Sequence, residues 1–221
     1  MLEQDFGYKM DIVMCIDATG SMHPIIEDIR ANAREIYGKL VSELEEANAT
    51  LSEFRIKLIL FRDYRIDSEP MVETKFFNLD GEVEEFYSFI DNIMIGGGGD
   101  FPENGLEALS LAINSDWNTE RGRKRQVIIL WTDATAHPLG MDKMIEFYPE
   151  NMPKSLEELE ESWNKMDRRA KRLIIFAPGD YPWLNVAEWD QTFFTEIRPG
   201  EGCGETDIDE CIKMILYTWH A

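Results

Sequence analysis

In the stretch Asp17-Ala18-Thr19-Gly20-Ser21, one carboxylate and two hydroxyls occupy alternate positions. A turn with that spacing can aim three oxygens at one point, and an all-oxygen set is what a hard divalent cation takes. Mg²⁺ prefers octahedral oxygen at about 2.0–2.1 Å and keeps several waters, so two hydroxyls, one or two carboxylates and water make a sensible set. Asp133, in LWTDATAH, joins the candidates because it also closes an apolar run. The alternative for these residues is a plain turn, since Asp, Thr and Ser all satisfy local backbone groups.

Two strands have to deliver those acids. Residues 10–16 (MDIVMCI) read as a buried strand ending at Asp17, and residues 126–131 (QVIILW) as another ending at Thr132 and Asp133. A long helix follows the first strand, with Pro24 in its first turn and a stripe of Ile26, Ile29, Ala33, Ile36, Leu40 and Leu44. Residues 54–61 and 172–177 are further strands, 192–197 a last one, and 72–78 a short strand at an edge. Helices are predicted over 82–93, from Ser155 (capped with Glu158) to about Ala170, and over 207–219. Alternating strands and helices imply an α/β, Rossmann-like doubly wound sheet, mostly parallel with one antiparallel edge strand and helices on both faces. Ligands of such sheets bind beyond the carboxyl ends of the strands, where strand order reverses, which is where Asp17 and Asp133 would meet.

The chain has 221 residues, 44% hydrophobic and 29% charged, which fits one globular domain over 1–221. Its net charge of −21, from 43 acidic and 22 basic side chains, disfavours nucleic acid as a partner and favours cations or a basic protein face; solubility alone would also explain it. No long apolar run or secretory signal stands in the sequence, so neither membrane nor export is expected. Cys15, Cys203 and Cys211 form no disulfide framework, and a cytoplasmic setting is the expectation.

With these residues in view, the chain resembles the von Willebrand factor A family: IDATGSM stands where that family has its DxSxS metal motif, and Asp133 matches its later metal-site Asp. The resemblance covers nearly the whole chain. It implies a metal-ion-dependent adhesion site holding Mg²⁺ or Mn²⁺, a protein partner docked on the metal face through an acidic side chain, a scaffold or adaptor role, and no catalysis. Where many members carry Thr on the glycine-rich loop, this chain has Asp100 in GGGGDFPE; that loop, FRDY at 61–64 and DATAH at 133–137 are similar to an intracellular subgroup, some of it joined to alpha-type kinases. Asp100 is therefore a candidate metal ligand, direct or through water, with helix capping beside Glu103 as the alternative. A third carboxylate would leave the site at about −1 and weaken its pull on an outside acid.

A different class of function also has to be weighed. DATGS is similar to the DKTGT turn of haloacid dehalogenase-type phosphohydrolases, in which such an Asp is the nucleophile beside Mg²⁺. That chemistry needs a lysine and a paired acidic motif, and the sequence nominates neither. Gly96 to Gly99 lacks the Lys-Ser/Thr of a phosphate loop.

Arg62 and Asp63 follow a strand and fall either on the metal rim or at an ordinary solvated strand end. His23 and His137 are not assigned to the ion, whose other donors are hard oxygens. Phe147, Tyr148, Tyr181, Trp183 and Trp189 suit a partner-binding rim or core packing equally. Glu157 to Glu161 reads as a solvated helix face.

Overall fold

A computed structural model describes residues 7–46, 51–97, 102–145, 148–198 and 213–214. Seven strands, β1 (Tyr8–Asp17), β2 (Leu51–Phe61), β3 (Met71–Glu73), β4 (Phe77–Asn78), β5 (Lys124–Trp131), β6 (Lys171–Pro178) and β7 (Thr192–Ile197), make one sheet. Its order is β3-β2-β1-β5-β6-β7, with β4 also paired to β2. All ladders are parallel except those of β3 and β4 on β2, so the expected α/β fold with an antiparallel edge is what forms.

The central strands are buried on both faces because their apolar residues are not confined to alternate positions. On β1, Met10, Ile12, Met14 and Ile16 join α1 (His23–Glu46) and α2 (Val83–Asp91) in one core; Val13 and Cys15 join α3 (Gly105–Ile113), α4 (Leu156–Lys165) and α5 (Trp183–Ala187) in the other. Ile25, Ile26 and Ile29 seat the start of α1. The predicted stripe from Ala33 onward, and most of the closing helix over 207–219, lie outside the described side chains; Lys213 and Met214 are helical.

Three boundaries differ from expectation. The edge strand over 72–78 is two pieces, because the Thr74 hydroxyl accepts the Leu58 N–H (3.0 Å), taking a ladder position that backbone would otherwise fill. The helix after Ser155 stops at Lys165 rather than Ala170, since Asp167 starts a turn in which its side chain accepts the Arg169 N–H and its carbonyl the Ala170 N–H. Its start is as read: Ser155 Oγ accepts the Glu158 N–H at 3.3 Å. Finally, α3 begins at Gly105 with Asn104 at its N-cap position, while Asp100 lies outside the described residues. Glu103 is used in an isolated parallel bridge to Ala136.

Candidate metal centre

The ladder between β1 and β5 ends at Ile16↔Trp131. Beyond it each strand turns to its other neighbour: Ala18 N donates to Phe61 O (2.9 Å) on the β2 side, and Thr132 N to Phe176 O (3.0 Å) on the β6 side. The two strands part at the point where strand order reverses, and Asp17, Thr19, Ser21 and Asp133 stand there.

Asp17 and Asp133 are both fully buried. Asp17 Oδ1 accepts hydrogen bonds from the Thr19 N–H (3.0 Å) and hydroxyl (2.6 Å), and Oδ2 accepts the Thr132 hydroxyl (2.7 Å). Thr19 Oγ1 lies 3.4 Å from Ser21 Oγ, which donates to Asp133 Oδ1 at 2.9 Å. Asp17, Thr19, Ser21 and Asp133 thus form one continuous chain of oxygens. Asp100 lies outside the described residues. Thr132 was not among the sequence candidates for the site; a hydroxyl directly beside a strand-end acid was the available signal.

Among the described residues the hydrogen bonds to Asp17 come from hydroxyls and an amide. Burial pushes Asp17 up to about 6, the nearby Asp133 charge adds to the rise, and the hydroxyl and amide hydrogen bonds oppose it. Asp11, at the other end of the same strand, makes the contrast. Its buried carboxylate is clamped by Arg55 through Nε (2.8 Å) and Nη2 (2.6 Å), whereas among the described residues no basic side chain pairs with Asp17. Buried charge needs a partner, and an all-oxygen cradle holding two acids is suited to a small hard cation.

The glycine-rich loop packs beside this turn. Gly96 N donates to Ala18 O at 3.1 Å, and Arg62 holds the loop through Gly96 O (2.8 Å) and Met94 O while also donating to Glu69 O (2.9 Å) just before β3. Arg62 and Asp63 are 6% and 3% exposed, which excludes the solvated strand end and makes them internal struts. Gly97 has φ +80°, and a Cβ there would fall 2.0 Å from Asp67 Oδ1. Gly97→Ala is accordingly expected to destabilise the fold by about 1–3 kcal/mol, read as a lower urea midpoint.

Of the other candidates, His23 is exposed at the start of α1, while His137 is buried. Trp183 and Trp189 are core residues, Tyr148 is half-buried, and Tyr181 remains exposed; Phe147 lies outside the described residues. Glu157, Glu158 and Glu161 face solvent as expected. As a nucleophile Asp17 would be poorly served, since both its oxygens already accept hydroxyl donors.

A model of the von Willebrand factor A domain matches residues 11–151. The chain belongs to that family. It is 26% identical over 151 residues to an alpha-protein kinase, vwkA, of Dictyostelium discoideum, an alignment covering 67% of this chain and 22% of that protein. The chain therefore spans only about a fifth of that relative's length. Among solved structures it resembles the pilus adhesin SpaC of Lactobacillus rhamnosus GG (TM-score 0.61, 11% identity, 96% of this chain, 31% of that one). It also resembles a von Willebrand factor type A protein of Catenulispora acidiphila (TM-score 0.54, 13% identity, 96% and 43% covered). Proximal thread matrix protein 1 of the mussel byssus, solved with a zinc-occupied metal-ion-dependent adhesion motif, matches at TM-score 0.51 and 13% identity, over 97% and 47% of the two chains. At such identities the likeness is one of fold. No described helix is long and apolar enough to cross a membrane.

Proposed function

We propose that the chain is a single metal-dependent protein-binding domain that holds Mg²⁺, or Mn²⁺, on Asp17, Thr19, Ser21 and Asp133, with Asp100 as a further ligand, direct or through water. The observation that carries this is the unequal treatment of two buried acids on β1: Asp11 has its arginine, and Asp17 has hydroxyls, a second acid and, among the described residues, no cation. When bound, the ion would neutralise the two acids and offer an open position to an acidic side chain of a protein partner, in a scaffold or adaptor role without catalysis. Family membership and the zinc-occupied motif of the mussel relative support the reading.

Isothermal titration with Mg²⁺ and with Mn²⁺ tests the metal, and affinity capture performed in Mg²⁺ and again in chelator tests the docking. Absence of binding heat with both ions would sink the first claim; equal capture with and without chelator would sink the second. Turnover of p-nitrophenyl phosphate that disappears in Asp17→Asn would replace both with the phosphohydrolase reading.

The raised Asp17 pKa gives the metal affinity a defined pH dependence. Protons and the ion compete for the same carboxylate, and an acid pushed up to about 6 is mostly ionised at pH 7 and mostly protonated at pH 5. Affinity for Mg²⁺ is expected to fall about tenfold between pH 7 and pH 5, with proton release on binding that grows as pH drops. A flat profile measured in two buffers of different ionisation enthalpy would contradict the role given to Asp17.

A further inference from the structure

Three sequence stretches meet at a second place, through residues that the first centre does not use. They are the FRDY segment after β2, the residues just before α3, and the loop after β5. Asn104 N donates to Arg62 O (3.1 Å), Glu103 N to Thr135 O (3.0 Å) and His137 N to Glu103 O (2.9 Å), so backbone hydrogen bonds fix the three relative to one another. Between them stand Asp63, His137 and Asp142, 3%, 5% and 2% exposed, with ligand-type atoms all within 4.8 Å of one another.

We propose that Asp63, His137 and Asp142 form a second metal site, selective for a zinc-class divalent ion, which Arg65 covers when no ion is bound. The donor set is one imidazole and two carboxylates, the mixed nitrogen and oxygen set that Zn²⁺ accepts with a fourth position left open. It differs in kind from the hydroxyl and carboxylate oxygens of the first centre. His137 Nε2 and Asp63 Oδ2 are 3.3 Å apart. Charge-assisted hydrogen bonds are shorter, at about 2.7–2.9 Å. Two donors on a tetrahedral zinc with bonds of about 2.0–2.1 Å stand about 3.3 Å apart.

Both acids are oriented as metal-binding carboxylates are, with one oxygen held by a neutral donor. Asp63 Oδ1 accepts the Arg65 N–H (2.7 Å), leaving Oδ2 toward His137. Asp142 Oδ2 accepts from Asn104 Nδ2 (3.1 Å), and the Asn104 amide is itself fixed by the Tyr64 N–H (2.8 Å). The other oxygen, Asp142 Oδ1, takes Arg65 Nε at 2.6 Å. The Arg65 side chain is 39% exposed while that of Asp142 is 1% exposed, so the positive charge on this acid comes from outside and can leave toward solvent. Glu107, which feels the Asp142 charge, is wholly buried and receives the Tyr148 hydroxyl at 2.7 Å, and burial pushes its carboxyl up toward the neutral form. Two buried acids, Asp63 and Asp142, against one movable guanidinium make a place where a doubly charged ion would be offset by the carboxylates that bind it.

The test uses Asp17→Ala as background, to remove the first centre from the zinc balance. After exhaustive dialysis against trace zinc, that chain is expected to retain one ion, with X-ray absorption showing a single imidazole among the light-atom donors. Adding His137→Ala should remove the ion; Asp142→Asn, which keeps the Asn104 hydrogen bond available, should do the same if His137→Ala folds poorly by circular dichroism. Arg65→Ala, a partly exposed change, should tighten zinc binding about tenfold by deleting the competing cation. Zinc uptake indifferent to His137 and Asp142, no uptake at all in the Asp17→Ala background, or no imidazole scattering would each overturn the proposal and leave the cluster as two internal ion pairs. Magnesium titration of the same His137→Ala variant with Asp17 restored reads the first centre separately.

Discussion

Asp17→Ala is expected to weaken Mg²⁺ binding by at least about 100-fold while the sheet remains folded, because it would delete a ligand of the proposed centre and also free its neighbours. The Asp17 carboxylate is the hinge of the oxygen chain: it receives Thr19 on one oxygen and Thr132 on the other. Without it the Thr19 hydroxyl loses its acceptor, and the turn no longer presents Thr19 and Ser21 together. The stability cost should be small, since losing three hydrogen bonds, worth about 1 kcal/mol each, is set against no longer burying an acid. Titration calorimetry beside far-ultraviolet circular dichroism separates the two effects. Mg²⁺ heat equal to wild type would remove Asp17 from the ligand set, and loss of the circular dichroism signal would make it a folding residue instead.

The largest expected stability effect lies away from the ion. Trp183, at the start of α5, is wholly buried, and its ring lies where a Cβ on Gly105 would come within 2.9 Å. Its indole N–H donates to Ala134 O at 2.9 Å, directly beside Asp133. Trp183→Ala should cost about 3–5 kcal/mol through the cavity it leaves. The same change unties the Ala134 carbonyl, so the loop carrying Asp133 should loosen and Mg²⁺ affinity should fall with it. Chemical denaturation and metal titration on the one variant measure both. A stability loss under 1 kcal/mol, or full affinity retained in a destabilised chain, would show that the indole fills space without positioning the acid.

The strands were legible because buried parallel strands are written as short apolar runs, and the two acids were legible because each ends such a run. Thr19 and Ser21 followed from spacing alone. What escaped was whatever depends on a side chain replacing backbone. Thr74 breaks an edge strand by accepting an amide hydrogen, a substitution that leaves no periodic trace. Asn104, not Asp100, stands at the entrance of α3, and its side chain bonds Tyr64 and Asp142 instead of capping the helix. Arg62 and Asp63 resemble any charged pair leaving a strand, and their burial depends on loops from Glu69, Met94, Gly96 and His137 arriving from elsewhere in the chain. His137 was left out of the oxygen set on the hardness of the other donors, and only the folded chain shows which acids it faces.

Past Ile16 and Trp131 the ladder between β1 and β5 ends, leaving β1 and β2 on one side and β5 and β6 on the other. Among the described residues the two sides are laced together there by hydroxyls, Thr132 to Asp17 and Ser21 to Asp133. An ion seated there would act as a rivet as well as a handle, and a partner tugging on it would load both sides at once instead of peeling a single loop.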